Sequence, residues 1–117
     1  MNIQIAEKWI EELRSGNYVQ GKFKLKSNEG YCCLGVLCEL YLKENPKKEN
    51  WKYNKIVDAY TIFNEYDYLP EEVQKWAEIK SDDAYLSPGV SLSILNDRLD
   101  YDFNRIAQII ENEKEFL

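Results

Sequence analysis

The sequence predicts an α+β fold, mainly helical, with about four helices and a small β-hairpin or short sheet. Three observations predict it. Apolar residues recur at i, i+3, i+4 and i+7 near both ends of the chain, which is a helical period. The segment Tyr31 to Leu42 carries a single charge, Glu39, and all three cysteines. The stretch Tyr18 to Lys26 alternates with period two instead. A chain of 117 residues fits one domain by length, so residues 1–117 are read as a single globular unit.

The first helix is expected from about Ile3 to Ser15. Ala6, Trp9, Ile10 and Leu13 make its apolar stripe. Asn2 suits the N-cap and Gly16 the C-terminal stop. Glu7, Lys8, Glu11, Glu12 and Arg14 cover the opposite face. From Tyr18 to Lys26, Lys22, Lys24 and Lys26 alternate with Phe23 and Leu25, which predicts a short strand with one basic face. Ser27-Asn28-Glu29-Gly30 reads as a turn.

The second helix is expected over roughly Tyr31 to Lys43. Cys33, Leu34, Leu37, Leu40 and Tyr41 share its broad core face, and a helix apolar around most of its circumference is buried on most sides. Gly35 disfavours a helix by about 1 kcal/mol relative to alanine. The compensation expected is close approach of another backbone. Asn45 to Asn50 is a loop. Trp51 to Tyr68 is rich in aromatic residues with mixed periodicity, consistent with short strands or a short helix.

A further helix opens at Leu69-Pro70-Glu71-Glu72-Val73. Proline suits the first helical position, and the glutamates suit the positive end of the helix dipole. Val73, Trp76 and Ala77 form its stripe. Ser81 to Gly89 reads as a loop, and Val90 to Leu95 as a short helix or strand. The last helix begins near an N-cap at Asp100 or Asp102, with Phe103, Ile106, Ala107 and Ile110 inward.

Composition narrows the function classes. Hydrophobic content of 44% and aromatic content of 14% oppose disorder. The net charge of −6 disfavours general nucleic-acid binding, while leaving room for a local basic patch. It also suits a basic partner protein. No apolar run reaches the ~18 residues of a membrane span, and the N-terminus lacks the pattern of a secretory signal. Three clustered cysteines do not make a disulfide framework, so a reducing cytoplasm is expected.

Signals for catalysis are weak. The chain has no histidine, the commonest acid or base near neutral pH. Zinc needs four ligands, and no second cysteine pair exists here. Cys32 at a helix N-terminus is the one thiol with a route to a lowered pKa, yet free cysteine is more often a buried small hydrophobe. Asp82-Asp83 and Asp97 with Asp100 are carboxylate pairs in an acidic chain, a signal without specificity. No phosphate-binding or dinucleotide motif is present. The reading therefore falls against an enzyme, and assigns no catalytic residue, metal or cofactor.

Binding candidates are clearer. On a strand, Lys22, Lys24 and Lys26 would face one way about 6.6 Å apart, a row suited to phosphates. The plainer explanation is an edge strand protected against aggregation. Tyr18, Trp51 and Tyr53 supply rings on which a nucleobase can stack. Gln20, Asn96 and Asp97 are polar groups beside apolar anchors. They suit a ligand cleft or, for Asn96-Asp97, the cap and turn before the last helix.

Four blocks carry a resemblance to a family of small phage and prophage proteins without an assigned biochemical function. They are Trp9…Leu13-x-Ser15-Gly16-x-Tyr18-x-Gln20, Tyr31-Cys32-Cys33-Leu34-Gly35-Val36-Leu37-Cys38, Leu69-Pro70-x-x-Val73-x-x-Trp76, and Leu95-Asn96-Asp97 with Phe103-x-x-Ile106-Ala107-x-x-Ile110-Glu111. The Tyr-Cys-Cys-Leu-Gly-Val-Leu-Cys block is the most specific. Asn45 to Tyr68 carries no such likeness. The resemblance implies a phage origin and action in the host cytoplasm. By analogy it suggests an anti-defence protein that sequesters a small anionic nucleotide signal, in a form compatible with a homo-oligomer. The alternatives are an acidic protein–protein inhibitor of a host defence protein and a small nucleotide hydrolase using carboxylates or Cys32.

Overall fold

The computed structural model describes residues 1–117. Its elements run α1 (Ile3–Arg14), β1 (Lys26–Ser27), β2 (Gly30–Tyr31), α2 (Cys33–Glu44), β3 (Lys52–Asn54), β4 (Ala59–Thr61), α3 (Glu71–Ala77), β5 (Tyr85–Ser87), β6 (Val90–Ser91), α4 (Leu92–Asp97) and α5 (Phe103–Glu113). The α+β class agrees with expectation. The detail is richer, with five helices, a four-stranded antiparallel sheet in the order β2-β1-β4-β3, and a separate β5–β6 hairpin.

α1 and α5 form where their stripes place them. The Asn2 side chain accepts from the Ile5 N–H at 3.0 Å, and Asp102 caps α5 through the Arg105 N–H at 2.8 Å. Such caps satisfy amide groups that the first turn leaves without partners. Ile5, Ala6, Trp9, Ile10 and Leu13 of α1 are buried, as are Phe103, Ile106, Ala107 and Ile110 of α5. The two helices pack against each other.

α2 starts at Cys33, because Gly30 and Tyr31 are taken by the sheet. From Cys33 to Leu42 every residue is buried except Glu39. α1, α3 and α4 surround it, and the Trp9 indole N–H donates to the Cys33 carbonyl at 2.9 Å. The approach expected at Gly35 is present. A Cβ there would lie 1.7 Å from the carbonyl oxygen of Leu25.

Four expectations need correction. Tyr18 to Lys26 is not a strand: only a bridge at Gln20 and the first residue of β1 have β partners. Tertiary partners override the period. The Leu25 N–H donates to the Tyr66 carbonyl at 2.7 Å, and its carbonyl accepts from the Cys32 N–H at 3.3 Å. Phe23 takes φ +67° and is 52% exposed, while Leu25 is fully buried, so the two do not share a face. Second, Pro70 is the N-cap of α3 rather than its first helical residue. Third, Ser81 to Gly89 includes strand β5, whose hairpin turns at Pro88-Gly89 with Gly89 at φ +76°. Fourth, Trp76 is only half-buried and meets Tyr41 edge-on at 5.4 Å. Trp51 to Tyr68 resolves into the β3–β4 hairpin and a tight turn at Phe63-Asn64, both at positive φ.

Candidate functional site

The four-stranded sheet places a row of side chains on its outer face. Lys26 of β1 pairs with Tyr31 of β2 on one side and Tyr60 of β4 on the other, and Tyr60 pairs with Tyr53 of β3. Directly opposed residues on neighbouring strands point to the same face. The row therefore reads Tyr31, Lys26, Tyr60, Tyr53 across all four strands. Ala59, adjacent to Tyr60, is fully buried on the opposite face. Tyr31, Lys26 and Tyr60 are half-buried, and Tyr53 is exposed.

Lys26 lies within a cage of rings. Its Nζ is 4.7 Å from the ring centroid of Tyr60, 5.4 Å from Tyr31 and 5.5 Å from Trp51. These distances lie within cation–π range. No carboxylate pairs with Lys26, so no acidic side chain competes with an anion arriving from solvent. Trp51 and Tyr18 extend the cluster, each edge-on to Tyr31 at 6.4 and 5.1 Å. Tyr53 and Tyr60 are likewise inclined, at 70°. The rings in direct contact here, Tyr18 with Tyr31, Tyr31 with Trp51 and Tyr53 with Tyr60, all meet edge-on.

Glu39, the one charge of α2, underpins the cage. Its carboxylate accepts from the Tyr31 hydroxyl at 2.9 Å and from the Trp51 indole N–H at 3.3 Å. Burial pushes the Tyr31 phenol well above its ordinary value, and the Glu39 hydrogen bond adds to that shift. Burial also raises Tyr18, against the lowering influence of its bond from Lys43 at 3.1 Å.

A shallow cleft of about 470 Å³ lies at the turn between β1 and β2, lined by Lys22, Phe23, Lys24, Ser27, Asn28, Glu29 and Asp58. Asp58 connects cleft and row. Its carboxylate accepts from the Tyr53 hydroxyl at 2.5 Å, and its carbonyl accepts from Lys24 Nζ at 3.3 Å.

Of the residues singled out in the sequence, Tyr18, Lys26, Trp51 and Tyr53 meet on this face. Lys24 joins through Asp58, and Lys22 turns away to an ion pair with Asp100. Gln20, Asn96 and Asp97 meet elsewhere, in an internal clamp. Asn96 is fully buried. Its Oδ1 accepts from Gln20 Nε2 at 2.8 Å and from the Cys33 N–H at 3.2 Å. Its Nδ2 donates to the Gly21 carbonyl and to Asp97, both at 2.9 Å. Asp97 in turn accepts from the Phe23 N–H at 2.9 Å. Asn96 is thus spent within the chain, fastening the 20–25 loop to α4 and to the start of α2. Tyr31, Tyr60 and Glu39 join the site without a binding signal of their own in the sequence. The turn Ser27 to Gly30, read as a hairpin turn, would have paired Lys26 with Tyr31.

The cysteines are all buried and free. Burial pushes the Cys32 thiol up to about 12 and raises Cys33 and Cys38 as well. The lowered value conceivable for a helix N-terminus is thus reversed. All three thiols are expected to resist a disulfide reagent in the native protein and to react at once in denaturant. The raised thiols and phenols also set a pH dependence. Such groups stabilise the fold fully below their unfolded values, 9.0 for cysteine and 10.0 for tyrosine, and that stability is lost as pH rises through the folded values. The melting temperature is expected to hold to about pH 8 and fall past these values, as a pH series of thermal melts will show.

No group of cysteine, aspartate or glutamate side chains is arranged to hold a metal ion. No helix is long and apolar enough to cross a membrane. Fold and site together define a small α+β protein with an aromatic, cationic sheet face. The chain belongs to the family described as "Domain of unknown function (DUF8296)", whose model matches residues 1–114. No curated protein and no solved structure matches the chain.

Proposed function

We propose that this is a non-enzymatic binding protein of phage type that sequesters a small anionic nucleotide signal in the host cytoplasm. The observation that supports the reading is the unpaired Lys26 ammonium held among Tyr60, Tyr31 and Trp51 on an open sheet face. Rings offer stacking surfaces for a base, and a fixed ammonium offers a partner for phosphate. A protein that sequesters needs affinity and no reaction, which suits a site without a histidine or an accessible thiol.

Calorimetric titration with a panel of mononucleotides, cyclic nucleotides and ADP-ribose derivatives tests the proposal. Binding at micromolar concentration or below is expected, with intact ligand released by heat. Lys26→Met is expected to weaken binding about tenfold or more, the worth of one charge-assisted hydrogen bond. Absence of binding at millimolar ligand defeats the proposal, and recovery of a cleaved product replaces sequestration by hydrolysis.

The acidic-inhibitor reading is supported by Glu7 and Glu11, which stand exposed on α1 outside any ion pair. Stoichiometric capture of a basic host protein, lost on Glu7→Lys with Glu11→Lys, would favour it over the nucleotide reading.

A further inference from the structure

Charge is unevenly spread along this acidic chain, and two lysine-rich segments contain strands of the aromatic row. Residues 21–28 hold Lys22, Lys24 and Lys26 with no acidic residue. Residues 45–57 hold Lys47, Lys48, Lys52 and Lys55 against Glu49 alone. Each segment is therefore +3. With a whole-chain charge of −6, the remainder carries −12. The first segment runs into β1 within the row; the second contains β3 at its end, where Lys52, next to Tyr53, faces the opposite side and pairs with Glu49 at 3.5 Å.

Row and charge together describe more than a site for one base. Three rings, Tyr31, Tyr60 and Tyr53, stand on three of the four strands, with Lys26 on the strand between the first two. At about 4.8 Å between strands, the row spans about 14 Å. Sites for unpaired strands combine aromatic platforms, one per base, with cations that follow the phosphates. A single nucleotide would use one ring and leave the rest of the row idle.

We infer that the sheet face takes a single-stranded oligonucleotide of about three nucleotides, its bases on Tyr31, Tyr60 and Tyr53 and its phosphates toward Lys26 and Lys24. This rests on the nucleotide reading above and narrows it to an oligonucleotide. A duplex is excluded from the face, because its bases are stacked on one another and the rest of the surface is acidic.

The test compares AMP, single-stranded tri-adenylate and a short adenine–uracil duplex by calorimetry on the full chain, at low and moderate salt. Tri-adenylate is expected to bind at least tenfold tighter than AMP, with affinity falling as salt rises, and the duplex is expected not to bind. Tyr53→Leu, at an exposed position, is expected to cost tri-adenylate more affinity than AMP and so to narrow the ratio between them. A thermal melt establishes that this variant is folded. Lys26→Gln provides a second variant that weakens both ligands. Equal affinity for AMP and tri-adenylate overturns the inference and leaves the nucleotide reading intact. Preference for the duplex also overturns it. Failure of every nucleotide removes both.

Discussion

Gly35→Ala is expected to destabilise the protein by about 3 kcal/mol or more, at the upper end of what overpacking a core produces. The added Cβ would lie 1.7 Å from the Leu25 carbonyl oxygen, 2.6 Å from its carbon and 3.1 Å from its Cα. All three are backbone atoms, so no rotamer change relieves the contact. Leu25 itself is held by Tyr66 and Cys32. Helix α2 and the lysine-bearing loop must therefore separate, and the loop carries Lys24 and Lys26 with it. The variant is expected to lose ligand binding along with stability. Urea denaturation followed by circular dichroism measures the effect. Gly16→Ala is the control: φ is +76° but nothing lies within 4 Å, so only backbone strain of about 1 kcal/mol applies. Similar midpoints for the two variants would show that the α2–Leu25 contact is not tight.

Asn96→Ala is the second large effect, expected at about 3 kcal/mol. A buried group left without its partner costs about 1–3 kcal/mol, and this substitution strands several. The Cys33 N–H loses its acceptor, the Gly21 carbonyl loses its donor, and Gln20 keeps only the Tyr101 carbonyl at 2.8 Å. Asn96→Asp is expected to be no rescue, because a second carboxylate would face Asp97 and the Gly21 carbonyl. Amide hydrogen exchange locates the damage: protection at Cys33 and Phe23 should fall before protection in α5. A loss below about 1 kcal/mol would mean that water replaces the clamp.

Elements that bury one face were legible in the chain. The stripes of α1 and α5 repeat with helical period, and their caps, Asn2 and Asp102, are local in sequence. Gly35 was legible for the same reason, since a glycine within an apolar helix implies a close neighbour. Period two failed at Tyr18 to Lys26 because partners that fix that segment lie far along the chain: Tyr66 and Asp97. Alternation records which residues are apolar, and Phe23 is apolar yet exposed. The lysines therefore share no strand face. One enters the cage, one reaches Asp58, and one pairs with Asp100.

The candidate site divides along the same line. Its ingredients, an unusual supply of tyrosine and tryptophan and two lysine-rich segments, are composition and stand in the sequence. Their assembly depends on strand register. The turn Ser27 to Gly30 encodes the pairing of Lys26 with Tyr31, but the pairing of Lys26 with Tyr60 joins residues 34 positions apart, and no local signal encodes that register. The cysteine block shows the converse. Its apolar run alone placed it at the centre of the core, because hydrophobic burial needs no specific partner. Whether Cys32 is reactive was decided by the packing around it, since desolvation of a thiolate depends on every element that covers it.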